Sequence, residues 1–138
     1  MEYHRFGVCH CFNLRRAGNK VTAMYNKKIA EAGLSGSQFS ILSYIGHYEP
    51  INISRLSELL FLERTTVVRN LKLLEKEDYI EYQKGHGRER LISLTDRGRE
   101  KYHETYILWN QAQEELEAKL GAEGMEMFRT LIDLICKM

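Results

Sequence analysis

Hydroxyl and basic side chains recur along one stretch of predicted helix, residues 64–78. At 100° per residue, four of them fall on a single helix face that carries no acid: Thr65, Arg69, Lys72 and Lys76. The opposite face is apolar and predicts a core contact, through Val67, Leu71 and Leu74. Hydroxyl, guanidinium and ammonium groups at this spacing can hydrogen-bond to base edges and phosphates. A solvated helix face can have the same composition, so the neighbouring elements must decide between the two interpretations.

A shorter helix is predicted immediately before this one. Asn52 is a favourable N-cap residue, and the leucines that follow it have the spacing of an inward-facing stripe. Residues 61–63 then form the turn between the two helices. A glycine often eases such a turn, but Phe61 takes that place here. We therefore expect Phe61 to be partly exposed or packed on a neighbour.

Two short strands are predicted after the helix pair, at residues 79–83 and 90–94. Residues 84–88 join them, and their two glycines permit the positive φ values of a hairpin. Basic groups are concentrated at or near the hairpin tip: Lys84, His86, Arg88 and Arg90. These groups could contact a nucleic-acid groove or backbone. The alternatives are that the charge only keeps the hairpin soluble, or that Arg90 pairs with a helix carboxylate.

Predicted helices flank this unit on both sides. One spans about residues 12–32 and ends at Gly33, and the next begins in a capping box formed by Ser35 and Gln38. After the hairpin, Thr95 caps a helix of about 24 residues, roughly 36 Å long, which Gly121 interrupts. Its apolar residues recur at heptad-like spacing, and a single domain cannot easily bury so long a stripe. A partner chain would cover it.

The composition bounds the remaining possibilities. The chain has 138 residues, 43% hydrophobic and 28% charged, with a formal net charge of +1. These values predict one globular domain rather than a disordered chain or a broadly basic surface. Three cysteines and no recognisable signal peptide favour a reducing cytosol, and no apolar run is long enough for a membrane span.

The order of these elements, and three motifs within them, resemble the MarR family of bacterial winged-helix transcriptional regulators. The motifs are Glu-Arg-Thr-Thr-Val-Val-Arg-Asn-Leu at 63–71, Arg-Glu-Arg-Leu-Ile-Ser-Leu-Thr-Asp-Arg-Gly-Arg at 88–99 and Cys-Phe-Asn-Leu-Arg-Arg-Ala at 11–17. The resemblance implies a mainly α fold with a small β-hairpin wing. It implies a single domain over 1–138, with a DNA-binding winged-helix lobe at about 35–99 and dimerisation helices at about 8–32 and 100–138.

The same resemblance implies a cytoplasmic homodimer that binds double-stranded DNA, usually as a repressor on a pseudo-palindromic operator. The implied DNA contacts come from the second helix of the pair and from the wing: Arg64, Thr65, Thr66, Arg69, Asn70, Lys72, Lys84, Arg88 and Arg90. One departure concerns the wing. Where the family usually has an aspartate that orients arginines, this chain has His86. The orientation of the wing therefore has no evident cause in the sequence.

Two kinds of regulation are compatible with the resemblance. A small aromatic effector could bind among aromatic residues of the long helix and those facing it: Tyr25, His47, Tyr48, Tyr102, Tyr106 and Trp109. The alternative for these side chains is plain core or dimer packing. Oxidation could act on the cysteines, namely Cys9, Cys11 and Cys136, whose alternative role is interface packing.

No cofactor or metal is expected. His4 and His10 lie near two of the cysteines, but a Cys-x-Cys pair is a weak zinc signal. The chain contains no phosphate loop, no zinc-protease motif and no nucleophile elbow, so it does not read as an enzyme. A winged helix used only for protein–protein contact remains the rival to DNA binding.

Overall fold

The computed structural model describes residues 8–138, so the candidate ligand His4 lies outside the described residues. Of the described residues, 76% are helical, and two strands form an antiparallel hairpin, which confirms the predicted class. Within the described residues, five α-helices and two strands follow one another: α1 (His10–Ile29), α2 (Gly36–Tyr48), α3 (Ile53–Leu60), α4 (Arg64–Lys76), β1 (Ile80–Lys84), β2 (Arg90–Leu94) and α5 (Asp96–Cys136).

The predicted helix boundaries are set by local capping. A short 3₁₀ turn, Ala30–Ala32, extends α1, and Gly33 ends it with φ of 83°, a conformation that glycine adopts without a Cβ penalty. Ser35 and Gln38 form the predicted reciprocal capping box at the start of α2. The Asn52 side chain accepts a hydrogen bond from the backbone N–H of Arg55 and so caps α3.

The core lies between α2, α3, α4 and the hairpin. Its fully buried side chains come from all four elements and include Ile41, Leu42, Ile45, Leu56, Val67, Leu71, Leu74 and Ile92. This packing buries the apolar face of α4 and leaves the opposite face in solvent. The rigid lobe therefore fixes which α4 residues are available to a partner.

The turn between α3 and α4 takes a left-handed residue. Phe61 has φ of 53° and its side chain is 81% exposed, as expected for a bulky residue in this turn. Its N–H donates to the carbonyl of Glu58 and the N–H of Leu62 donates to that of Ser57, so the end of α3 is satisfied. The short turn holds the two helices against each other.

The hairpin is joined to the helical lobe at its base. β1 and β2 pair antiparallel, with Ile80 opposite Leu94 and Lys84 opposite Arg90. Ile51 forms an isolated antiparallel bridge with Ile92 of β2. This bridge ties the chain segment before α3 to the middle of β2.

The long helix α5 begins close to the hairpin base. The Thr95 hydroxyl accepts from the N–H of Gly98, which confirms the predicted cap. Gly98 lies so near β1 that a Cβ there would be 2.0 Å from the Tyr79 carbonyl oxygen. Gly121 has φ of 70° and ψ of 176°, so it kinks the helix at the predicted position.

The end of α5 is apolar and has no core of its own. Beyond the kink, six large hydrophobic side chains are between 39% and 65% exposed: Met127, Phe128, Leu131, Ile132, Leu134 and Ile135. Among the described residues, no helix is long and apolar enough to cross a membrane. The exposed apolar face is therefore a surface that needs another explanation.

Candidate nucleic-acid interface

The solvent face of α4 carries the predicted basic and hydroxyl groups. Thr65, Arg69 and Lys72 are exposed, and Lys76 continues the same face at the last turn. The α4 face opposite them is buried through Val67, Leu71 and Leu74. Among residues 8–138 no hydrogen bond or ion pair engages the Arg69 or Lys72 side chain. Their donors are thus available to acceptors outside the chain.

Two predicted contact residues lie at the edge of this face rather than on it. Thr66 and Asn70 are half-buried, and the Asn70 side-chain amide donates to the Thr66 carbonyl at 2.9 Å. That bond occupies one of the two amide N–H groups. The other N–H and the oxygen of the Asn70 amide remain available, so Asn70 offers fewer hydrogen-bonding groups than a free amide would.

Arg64 lies at the first position of α4. Its guanidinium donates to the Ser54 hydroxyl at 3.0 Å, which lays the side chain across the start of α3. The helix N-cap before it, Glu63, makes no side-chain capping bond, so first-turn N–H groups of α4 remain available. A helix N-terminus with free N–H groups and a nearby arginine favours an anion.

The hairpin tip presents its charge to solvent. Lys84, His86 and Arg88 are exposed, and Gly87 between the last two has φ of 61°. Glycine adopts this left-handed conformation at little cost in energy, whereas most other residues would be strained in it. The tip is therefore a compact turn with basic side chains on its outside.

The Arg90 side chain packs on an aromatic ring of the hairpin. Its guanidinium lies over the Tyr82 ring at 3.9 Å from the centroid, on the neighbouring strand. Among residues 8–138 no ion pair joins Arg90 to a helix carboxylate, and the Tyr82 ring positions its guanidinium instead. Burial is the main cause that raises the pKa of the Tyr82 phenol, followed by the charge of Glu75, while Arg90 acts to lower it.

Helix α4 and the wing meet at one small cleft. A cavity of about 300 Å³ is lined by residues from the start of α3, the start of α4 and the hairpin: Asn52, Ile53, Ser54, Arg64, Arg88, Glu89 and Arg90. Three arginines that are distant in sequence thus surround a single opening. An arrangement of this kind concentrates positive potential where a phosphate could approach.

Glu89 is a residue that the sequence interpretation missed. Its carboxylate Oε2 accepts a hydrogen bond from the Asn52 side chain at 2.9 Å, which joins the wing to the N-terminus of α3. The two residues are 37 positions apart. No local pattern in the sequence marks such a pair, since neither residue type is unusual where it stands.

The six candidate effector residues do not share one pocket. A cleft of about 490 Å³ between α2 and the start of α5 is lined in part by His47, Tyr48 and Tyr102. A second cavity, about 390 Å³, is lined in part by Tyr25 and Trp109. Tyr106 lines neither of them; its ring packs beside Trp109, with centroids 5.4 Å apart. The prediction of one aromatic site is corrected to two separate cavities.

Phe39, a buried residue of α2, lies between the aromatic residues of those two cavities. Its ring stacks on the Tyr102 ring, with centroids 5.5 Å apart, and lies tilted against the Trp109 ring, with centroids 6.2 Å apart. One α2 side chain therefore divides the aromatic row of α5 into two parts. Tyr25 reaches α5 in another way, because its hydroxyl donates to the Gln113 side chain.

The three cysteines are free thiols. Cys9 is half-buried and its Sγ accepts from the N–H of Phe12 at 3.5 Å, so it caps α1. Cys11 and Cys136 are exposed. Within residues 8–138, no group of three or more His, Cys, Asp or Glu side chains is arranged to hold a metal ion.

The fold and this surface define a winged-helix protein of the kind that regulates transcription. The MarR family model matches residues 32–89, which run from the end of α1 to the wing tip. The regulator YwoH of Bacillus subtilis is 28% identical over 132 residues, 95% of each chain. SarZ of Staphylococcus epidermidis is 33% identical over 92 residues, 65% of this chain and 62% of that one.

Solved structures agree with these relatives. The M. tuberculosis transcriptional regulator MosR in complex with DNA is 28% identical, with a TM-score of 0.81 and coverage of 91% of this chain and 92% of that one. Residues 32–89 of this chain thus match the MarR family, and nearly the whole chain is similar to regulators of transcription. The family and these relatives are regulators, not enzymes.

Proposed function

We propose that the protein binds a pseudo-palindromic operator as a homodimer and represses transcription until a small ligand releases it. The lobe over residues 35–99 would contact DNA, and the helices over 8–32 and 100–138 would pair the two copies. A dimer seated on promoter DNA would exclude other proteins from it, which makes repression the simplest consequence of binding.

The observation that carries the DNA-binding part is the position of the basic side chains. The acid-free face of α4 begins at Thr65, directly after Arg64, and Arg64 shares a cleft with Arg88 and Arg90 of the wing. A helix face of about this size fits the major groove, and basic side chains beside it suit the flanking backbone or minor groove. The 28% identity to MosR, solved with DNA, supports the same proposal.

The exposed end of α5 supports the homodimer. Six large apolar side chains beyond Gly121 are at least 39% exposed, and Leu14 of α1 is 52% exposed. Monomers rarely leave a contiguous apolar surface of this kind in water. A second copy that supplies the same face would bury both, and such an isologous interface has the two-fold symmetry that a palindromic operator requires.

The cleft between α2 and α5 is our proposed effector site. Its lining combines aromatic rings with basic groups, among them Tyr48, Tyr102, His47 and Arg99. A volume of about 490 Å³ lies in the range that small ligands occupy. Because α2 belongs to the DNA-binding lobe and α5 to the pairing helices, a ligand here would act between the two parts.

Two alternatives remain in different classes. Oxidation of an exposed thiol, Cys11 or Cys136, would replace the ligand as the signal. Unchanged operator affinity after peroxide treatment, with all thiols still titratable, would exclude it. A module that contacts only proteins would not need the basic α4 face or the arginine cleft, which favours DNA.

The proposal is tested by titrating the protein against duplex DNA from its own upstream region at several salt concentrations. We expect saturable binding that weakens steeply with salt, because basic side chains displace counterions from phosphates. Size-exclusion chromatography with light scattering should give the mass of two chains. A monomer that fails to bind any duplex more tightly than unrelated DNA would refute the proposal.

A further inference from the structure

We propose that Glu89 is a positioning residue that fixes the wing against helix α3 and so sets where Arg88 and Arg90 meet DNA. The inference rests on the proposed DNA-binding function. Glu89 would orient the wing through its hydrogen bond to Asn52. His86 stands where the resemblance leads one to expect a carboxylate, and it cannot take that role. No ligand is needed for the contact itself, which is present in the free protein.

The contact joins the residue that caps α3 to the end of the hairpin loop. Asn52 uses its oxygen to cap α3 through the N–H of Arg55 at 2.8 Å, and its amide nitrogen to bind Glu89 at 2.9 Å. One rigid side chain is thus shared between the helix terminus and the wing. The middle of β2 is held separately, by the backbone bonds between Ile51 and Ile92 at 3.1 and 2.7 Å.

The hairpin tip is shaped to direct this carboxylate. The Glu89 N–H donates to the His86 carbonyl at 3.0 Å, and the Glu89 carbonyl accepts from Gly85 at 2.9 Å. Its side chain folds back across Gly85, where a Cβ would lie 2.4 Å from Glu89 Oε1. The φ of Gly85 is not positive, so a glycine is needed here to leave room for the Glu89 side chain rather than for its backbone conformation.

The surroundings argue against a merely solvated carboxylate. Glu89 lines the same cleft as Arg64, Arg88 and Arg90, yet among the described residues its partner is the neutral Asn52 and none of the three arginines. Their guanidinium groups therefore keep donors for phosphate or base acceptors. A negative charge beside DNA should by itself weaken binding, so its presence is explained better by orientation.

The electrostatic and the positioning role of Glu89 predict opposite changes in DNA affinity, and this difference provides the test. Glu89→Ala removes a negative charge near the phosphates, so a purely electrostatic role predicts tighter DNA binding. A positioning role predicts weaker binding, by about fivefold to tenfold, because the wing arginines lose their fixed orientation. Glu89→Gln keeps an oxygen acceptor for Asn52 and should bind at least as tightly as the unaltered protein.

Two further variants sharpen the comparison. Gly85→Ala should displace the Glu89 carboxylate and reproduce the loss while leaving every charge in place. Glu81→Ala removes a carboxylate from the exposed side of β1 and measures the effect of charge alone. Hydrogen exchange of the backbone amides at positions 85 and 89 in the free proteins should accelerate at least several-fold in Glu89→Ala and Gly85→Ala. It should stay unchanged in Glu89→Gln and Glu81→Ala.

The experiment measures affinity of each variant for one operator duplex, together with amide exchange without DNA. Weaker binding and faster exchange in Glu89→Ala, both restored in Glu89→Gln, would support the proposal. Equal or tighter binding with unchanged exchange in Glu89→Ala would overturn it. If the unaltered protein binds no duplex specifically, the proposed function fails, and the exchange data alone still decide whether Glu89 holds the wing.

Discussion

Replacing Arg69 tests the proposed reading of DNA by α4. Arg69 lies on the exposed face of that helix, and no hydrogen bond or ion pair within residues 8–138 engages its side chain. Arg69→Ala should therefore change the free energy of unfolding by no more than about 0.5 kcal/mol. Its effect on DNA binding can then be interpreted without a folding correction.

The expected magnitude follows from the chemistry of a base contact. A bidentate arginine–guanine pair contributes about 1–3 kcal/mol of discrimination against the wrong base. A homodimer would use the contact twice, so the variant should lose about 2–6 kcal/mol of specific binding, roughly 30-fold to 10⁴-fold in affinity. Binding to unrelated DNA should change far less, since other basic groups remain.

Lys72→Ala is the matched comparison on the same face. A lysine that contacts phosphate contributes affinity without sequence preference, so this variant should weaken specific and unrelated DNA alike. It should also make the plot of log affinity against log salt shallower by about 0.9 for each subunit. Fluorescence anisotropy with a labelled operator and a scrambled duplex, at four or more salt concentrations, measures both effects. Unchanged operator binding by Arg69→Ala would refute this account of the α4 face.

Three further predictions concern the pairing face, the close approach of α5 to the hairpin and one phenol. Leu131→Glu places a charge on the exposed apolar end of α5, so this variant should be monomeric in light scattering at micromolar concentration. Leu131→Met should still form dimers. A stable dimer of the glutamate variant would contradict the proposed interface. Gly98→Ala should lower stability by about 1–3 kcal/mol or more in denaturant unfolding, because its Cβ would meet the Tyr79 carbonyl oxygen, while Gly46→Ala, whose Cβ meets only the end of the Leu94 side chain, should be nearly neutral. Burial raises the pKa of Tyr82 above 10.0, so the stability that its neutral phenol contributes should be complete below pH 10 and lost as the pH rises through the folded-state pKa. Ultraviolet difference titration of the unaltered protein against Tyr82→Phe isolates this phenol. A titration of the phenol below pH 10 would contradict the prediction.

The sequence predicts this fold well where the decisive interactions are local. Caps and helix ends at Ser35, Asn52, Thr95 and Gly121 follow from side-chain chemistry within a few residues of each boundary. The solvent face of α4 follows from helical periodicity alone. Each of these features depends on neighbours in the chain, so the printed sequence contains the information needed.

The candidate site is less predictable because its parts are assembled over long sequence separations. Asn52 and Glu89 meet only because the Ile51–Ile92 bridge aligns the start of α3 with the wing. The separation of the aromatic residues into two cavities depends on the Phe39 ring, which α2 places against α5. The Asn52–Glu89 contact and the division of the aromatic residues both depend on the direction of side chains between packed elements. The periodicity of the sequence does not reveal that direction.

The central claim is that two copies of the α4–wing unit bind DNA with two-fold symmetry. Selection of bound sequences from a random duplex library, followed by alignment of the enriched sites, tests this claim most directly. We expect a dyad-symmetric site whose half-sites lie about one helical turn apart, roughly 10 base pairs centre to centre. Enrichment of an asymmetric site, or no enrichment at all, would contradict it.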